Sequence, residues 1–223
     1  MPGEMEIRLF PLPNLVLFPN VMLPLHIFEE RYKQMINTCV DKAEPFGLVQ
    51  LLGSEESEES IAVVGVSARV VQVESLEEGR MNILCAGESR FRILRFHGSV
   101  PYWSASVEFF DDVEEPAAEL TAVHDEVAEL YRRAFELSTK LRPLPEENLA
   151  LPDSPVGLSY MVSYVLDIDA QEKQRLLEMT STVERLEAVL SHLRDAVAQL
   201  RRQVAQKQIA PKASGNGDLG LPH

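Results

Sequence analysis

Catalysis or metal binding in this chain would have to be built on six lysines, five histidines, two cysteines and a cluster of glutamates. A P-loop sets lysine directly after glycine, so that the ammonium reaches terminal phosphates from a backbone nest. None of Lys33, Lys42, Lys140, Lys173, Lys207 and Lys212 follows a glycine. A serine–lysine dyad needs an exposed, strained serine and a desolvated lysine. Lys140 and Lys173 fall on polar faces of predicted helices and do not suit that role. His26, His97, His124, His192 and His223 lie in unrelated contexts. His26, between Leu25 and Ile27 at a predicted helix entry, reads as a hydrogen-bonded structural residue. Cys39 and Cys85 lack metal-ligand spacing and read as buried, reduced thiols. Glu55, Glu56, Glu58 and Glu59 are adjacent like charges in a predicted solvated loop, with no preset cation geometry. The expectation is a protein with no catalytic residue, no metal and no cofactor.

Bulk properties point to a soluble globular protein and name no partner. The 45% hydrophobic and 25% charged content is that of an ordinary globular chain. A net charge of -14 and a pI near 4.8 argue against nucleic acid, whose phosphates need a concentrated basic face. Arg90, Arg92 and Arg95 are close in sequence, but strand alternation would send Arg95 to the other face from the first two. No basic n-region precedes an apolar run, and no window approaches the roughly 18 apolar residues of a membrane span. The expected compartment is the cytoplasm, with no membrane partner.

The elements that must position any site change period half-way along the chain. Glu6–Phe10, Phe46–Leu52, Ile61–Leu76, Arg80–Ala86, Arg90–Phe96 and Tyr102–Phe110 read as strands, with Gly65 a candidate bulge and Gly87-Glu88 a turn. Trp103, Ala105, Val107 and Phe109 alternate with the polar Ser104, Ser106 and Glu108, which predicts one core face and one wet face. Pro11, Pro13, Pro19 and Pro24 predict a rigid buried meander that neither a helix nor a central strand can occupy. It delivers the chain into a helix over Phe28–Val40, with Phe28, Tyr32, Met35, Ile36 and Cys39 on one face. Beyond Pro116 the apolar residues step by three and four. Ser154-Pro155, Asp169 with Glu172, and Ser181 with Glu184 are helix starts. In the last helix Val183, Leu186, Leu190, Leu193, Val197, Leu200 and Val204 form a seam that Val189 and Ala196 widen. A widened stripe favours the core of a bundle over a two-stranded coil, although a homo-oligomer through this helix stays open.

Four segments carry a family resemblance. They are the proline-bracketed run Phe10–Tyr32, Phe46-Gly47-Leu48-Val49, Gly87-Glu88-Ser89-Arg90-Phe91-Arg92-Ile93 followed by Pro101-Tyr102, and Lys173–Glu178 with Val183-Glu184-Arg185-Leu186. In this order, from about Ile7 to Val204, the chain resembles the N-terminal domain of the Lon ATP-dependent proteases. It is similar to stand-alone Lon substrate-binding-domain proteins that carry neither the ATPase nor the protease domain. The resemblance implies an α+β fold, a PUA-like β pseudo-barrel followed by a C-terminal helical bundle ending in a long helix. The corresponding boundaries are 1–112 for the barrel, 113–208 for the bundle and 209–223 for a flexible tail. It also implies recognition of unfolded substrates without catalysis.

The functional expectation is a non-catalytic protein- and peptide-binding module. It would capture exposed apolar segments of unfolded polypeptides or act as an adaptor. The candidate substrate-binding residues are Phe18, Pro19, Met22, Leu23, Pro24, Phe28, Tyr32, Arg90 and Phe91. Met22, Leu23 and Phe28 either offer an apolar surface or cap the barrel, and Arg90 with Phe91 either face a ligand or close a strand end. The alternative class is a PUA-like small-ligand or RNA-binding domain, against which the acidic charge counts for RNA.

Overall fold

Strand alternation sorts the apolar side chains onto two surfaces, and the chain closes one of them into a barrel. The computed structural model describes residues 5–142 and 150–209. Pro143 and Pro145 of the expected connecting loop, and the tail beyond 209, lie outside them. The strands are β1 (Met5–Pro13), β2 (Met22–Ile27), β3 (Phe46–Leu51), β4 (Ile61–Ser75), β5 (Met81–Gly98) and β6 (Ser104–Phe109). They form a six-stranded sheet in the order β2-β5-β4-β3-β1-β6, and a further β5–β6 pairing closes a ring. Only β1 and β3 run parallel. The long strand β5 changes partner along its length. Met81–Ala86 takes β2 as its neighbour, and Phe91–Gly98 takes β6. The result is a five-stranded barrel with a three-stranded extension ending at β2.

Inside the barrel Ile7, Leu9, Val49, Phe91, Ile93, Trp103 and Val107 form one core. Phe91 lies at its centre because Gly47 and Gly65 leave room for its ring. A Cβ on Gly47 would lie 2.7 Å from Phe91 Cζ, and one on Gly65 would lie 2.6 Å from the Leu48 carbonyl oxygen. Gly65 is therefore a close-approach position, in register with Val49 and Phe91, and it borders an irregularity of the β3–β4 ladder, where Gly65 to Ile61 of β4 spans Val49 to Leu51 of β3. Against β5 the register shifts of β4 fall between Val66 and Ala68 and between Val70 and Gln72.

The larger core lies outside the barrel wall, beneath α1 (Glu30–Lys42) and the helices α2 (Ala117–Leu141), α3 (Pro155–Val165), α4 (Ala170–Glu178) and α5 (Thr182–Ile209). Phe10, Phe46 and Leu48 of the strands join Leu158, Leu176, Leu186 and Leu193 of the helices in one cluster. Barrel and bundle thus share a core. The helix starts form as expected. Ser154 Oγ accepts from Gly157 N at 3.4 Å, Asp169 Oδ1 from Glu172 N at 2.8 Å, and Ser181 Oγ from Glu184 N at 3.0 Å. Leu186, Val189, Leu190, Leu193 and Val197 are all buried within the chain, so the widened stripe serves the bundle.

Several expectations are corrected. Pro11 and Pro13 sit inside β1, paired with Val49 and Leu51. Leu9 N donates to Trp103 O on the β6 side, and residues two and four further on direct their nitrogens the same way. Pairing with β6 ends at Arg8, so the missing proline donors face no strand. Phe28 is not in the helix. Glu29 remains extended (φ -72, ψ 135), and α1 starts at Glu30. Gly87 does not turn the chain, because β5 runs unbroken through it. Ser106 lies buried on the supposedly wet face of β6, 2.6 Å from His97 Nε2. Glu56 is not free in solvent. It accepts from Arg31 at 2.6 and 2.8 Å, from Tyr32 Oη at 3.0 Å and from Trp103 Nε1 at 3.1 Å. The glutamate loop is thereby tied to α1 and to the entrance of β6.

Candidate functional site

Alternation along β2 divides the candidate residues. Leu23 and Ile27 point into the core, while Met22 and Pro24 point out with His26 between them and Phe28. Met22 is 46% exposed and Phe28 62%. The His26 ring stacks on Phe28 at 6.0 Å between centroids, and its Nδ1 lies 2.8 Å from Asn82 Oδ1. His26 thus belongs to a strand, not to a helix entry. Register sets Met22 beside Ala86 and Pro24 beside Leu84, both half-buried on β5. The outer face of the extension is consequently an apolar patch on rigid backbone. β2 is the edge of the sheet, and Pro24 removes a donor from it. This surface can hold apolar side chains, and it is poorly built to add another strand.

The other candidates lie inside the molecule. Phe18 and Pro19 are buried under a loop that Gly87 receives. Asn20 N donates to Gly87 O and Gly87 N to Val21 O, both at 2.9 Å. The Phe18 ring reaches to 6.2 Å from that of Tyr160 in α3. Tyr32 packs 4.0 Å from Phe10 and donates to Glu56, and burial pushes its hydroxyl above the usual tyrosine range. Phe91 fills the barrel. Leu23, Phe18, Tyr32, Arg90 and Phe91 are all buried against other parts of the chain.

Arg90 leaves the barrel wall for the bundle. Its Nη1 donates to Leu177 O at 2.9 Å and to Met179 O at 2.5 Å, and its Nη2 donates to Asp112 Oδ1. Arg185 of α5 meets the same carboxylate and also donates to Ser159 Oγ at 2.8 Å and Met179 O at 2.8 Å. Tyr160 presents its ring to both guanidinium groups, at 4.3 Å from Arg185 and 5.5 Å from Arg90. Asp112 and Arg185 were not among the residues expected at a site. Arg185 did leave a signal, since it stands four residues before Val189 on the apolar stripe of α5. A cleft of about 580 Å³ lies over this junction, rimmed by Glu88, Asp111 and Glu114. Its acidic groups are partly spent, as Glu88 pairs with Arg69 and Glu115 accepts the first amides of α5.

Lys173 is also re-read. Its ammonium donates to Tyr164 O at 2.6 Å, where it closes the end of α3, and burial lowers its pKa. Among the described residues no group of three or more His, Cys, Asp or Glu is placed to hold a metal ion. No described helix is long and apolar enough to cross a membrane.

Comparison with known proteins agrees with this geometry. The Lon protease of Flavobacterium johnsoniae is 26% identical over 196 residues, which cover 84% of this chain and 24% of that protein. The Lon protease of Paraburkholderia phytofirmans is 30% identical over 205 residues, 89% of this chain and 24% of that protein. The chain spans about a quarter of the length of these curated relatives. Among solved structures, a Lon N-terminal domain protein from Xanthomonas campestris superposes with a TM-score of 0.59 at 21% identity, covering 84% of this chain and 98% of that one. The N-terminal domain of the Mycobacterium avium complex Lon protease gives a TM-score of 0.62 at 18% identity, covering 86% and 99%. These likenesses are of fold. The model of the ATP-dependent protease La (LON) substrate-binding domain matches residues 6–195, and the chain belongs to that family.

Proposed function

We propose that this chain is a non-catalytic recognition module that holds exposed apolar segments of unfolded polypeptides, on its own or as an adaptor for a protease. The observation that carries the reading is the outward apolar row Met22, Pro24 and Phe28, mounted on an edge strand that is itself pinned by the core side chains Leu23 and Ile27. Large apolar side chains left exposed side by side on a rigid sheet are a common mark of a docking surface. Pro24 interrupts the free edge, so side chains and not a backbone ladder would make the contact. The family supports a substrate-recognition role, and the net charge of -14 stands against RNA as the alternative ligand. The setting for this role is the cytoplasm.

Binding of a permanently unfolded, carboxymethylated protein, followed by fluorescence anisotropy, tests the proposal. The double variant Met22→Ser/Phe28→Ser should weaken binding by about tenfold or more while the melting temperature holds, the scale expected when anchor residues of an interface are truncated. Val100→Ser, at a site 91% exposed in another part of the surface, should leave binding unchanged. Equal binding by the double variant and the parent would overturn the assignment to β2. The same preparation should neither hydrolyse ATP nor cleave the client.

A further inference from the structure

The three-stranded extension has two edges, and their chemistry differs. Pro24 interrupts the β2 edge. On the other side β3 stops pairing with β4 at Ala68, opposite Phe46, while β4 runs on to Ser75 against β5 alone. Alternate residues of a strand direct their N–H and C=O groups to opposite sides. Beyond Ala68, every second residue of β4 therefore turns a donor and an acceptor away from β5, to a side where no described strand lies. Val70-Val71-Gln72-Val73 brings neither proline nor charge to this edge, and Val71 to Ser75 are exposed throughout. Unpaired main chain on an unprotected edge is a template for another strand. The bulge at Val71, an extra residue between the Val70–Cys85 and Gln72–Leu84 pairs, leaves Gln72–Ser75 as the regular stretch that an added strand would follow.

The two flanks of the edge specify which strand fits. Register sets Val73 beside the buried Ile83, on the side that packs with α1, and Gln72 and Glu74 beside Leu84 and Asn82, on the opposite side. A cleft of about 230 Å³ runs between the end of α1 and this edge, with Cys39, Val40 and Ala43 across from Val70 to Val73. Val40 is 45% exposed there and Val73 41%, apolar surface that an incoming side chain would cover. On the other side the exposed Glu74 meets, among the described residues, only the neutral amide of Asn82, at 2.9 Å, so its charge is open to a cation. We propose that the free edge of β4, Val70 to Ser75, takes an extended polypeptide segment as an added strand, with apolar side chains at every second position and basic ones between them. Its main chain continues the ladder, its apolar side chains cover Val40 and Val73, and a lysine or arginine stands beside Glu74. This contact goes beyond the side-chain docking proposed for β2 and shares no residue with it.

Titration of the full chain with the capped hexapeptide acetyl-Lys-Val-Thr-Val-Lys-Val-amide, followed in 1H–15N spectra, tests this. The expected result is a set of saturable shifts centred on the amides of Val70 to Ser75, with slower hydrogen exchange there and weaker binding in added salt. N-methylation of every second residue removes the donors along one side of the peptide only. Of the two isomers so made, one should bind about tenfold or more weakly and the other hold, the mark of a one-sided main-chain ladder. Val73→Lys, an exposed charge set into the edge, should weaken binding by a similar factor with an unchanged thermal melt. Glu74→Gln should weaken it and flatten the salt dependence. Met22→Ser/Phe28→Ser should bind the hexapeptide as the parent does, so failure at β4 and failure at β2 are read apart. Two isomers that bind alike, whether both hold or both fail, overturn the proposal, as does a peptide that shifts β2 and not β4. Sedimentation of the chain alone should give the mass of one copy. A dimer that Val73→Lys dissolves would assign the edge to a second copy and overturn the proposal as well.

Discussion

Arg90 of the barrel and Arg185 of the last helix share one carboxylate, that of Asp112, and all three side chains are at least nine-tenths buried. Two cations and one anion would repel in a dry interior if nothing else neutralised them. Here the carbonyls of Leu177 and Met179 and the face of Tyr160 take up the excess positive charge.

Removing the shared anion should therefore cost more than removing a surface pair. Asp112→Ala leaves both guanidinium groups without a counter-ion and is expected to lose about 3–5 kcal/mol. Urea unfolding read from both near- and far-UV signals checks it. Arg194→Ala, which breaks an exposed pair with Glu126, should stay within about 1 kcal/mol.

Gly87→Ala sets a side chain against backbone. The new Cβ would lie 2.4 Å from the Phe18 carbonyl oxygen, and no rotamer change relieves that contact. A loss of about 1–3 kcal/mol is expected, the range for overpacking. Hydrogen exchange at the Asn20 amide, which donates to Gly87 O, should speed up more than exchange in α5.

Leu193 is 2% exposed at the middle of the α5 stripe. Leu193→Ala should cost roughly 2–5 kcal/mol through the cavity it leaves. Because the stripe packs inside one chain, melts at two protein concentrations should coincide for parent and variant. A concentration-dependent melt, with a fall in solution mass, would show that the seam joins two copies instead.

Burial pushes the Cys85 thiol up to about 11 from its ordinary 9.0, and it raises Cys39 in the same direction. Both should resist alkylation at about pH 8 until the chain is unfolded, since only the thiolate attacks. The raised value also has a stability consequence. The folded state keeps the Cys85 proton where the unfolded chain releases it, so this contribution is intact below pH 9.0 and falls as the pH climbs towards about 11. Urea midpoints across that range should drop less for Cys85→Ala than for the parent.

Much of this fold could be read one residue at a time. The apolar alternation of Trp103 to Val107, the three-four steps of Leu186 to Val197 and the caps at Ser154, Asp169 and Ser181 depend on local periodicity and local hydrogen bonds, which a chain states in its own order. The proline strand shows the limit of that logic. Whether Pro11 is allowed in a strand depends on which way its nitrogen faces and on where β6 stops pairing, and both are properties of a neighbour almost a hundred residues away.

The candidate site divides along the same line. Composition and motif were enough to mark Phe10 to Tyr32 as the informative segment and to place the chain near the Lon family. The pairing of β2 with β5 decided that Met22 faces out while Leu23 faces in, since a shift of one residue would exchange them. The extended backbone at Glu29 decided that Phe28 lies outside the helix and exposed. Asp112 reads as an ordinary polar residue of a linker, and its sequence context names no partner. Its burial arises where strand ends and helix ends from distant segments converge, and long-range charge pairing and desolvation exist only once the chain has closed.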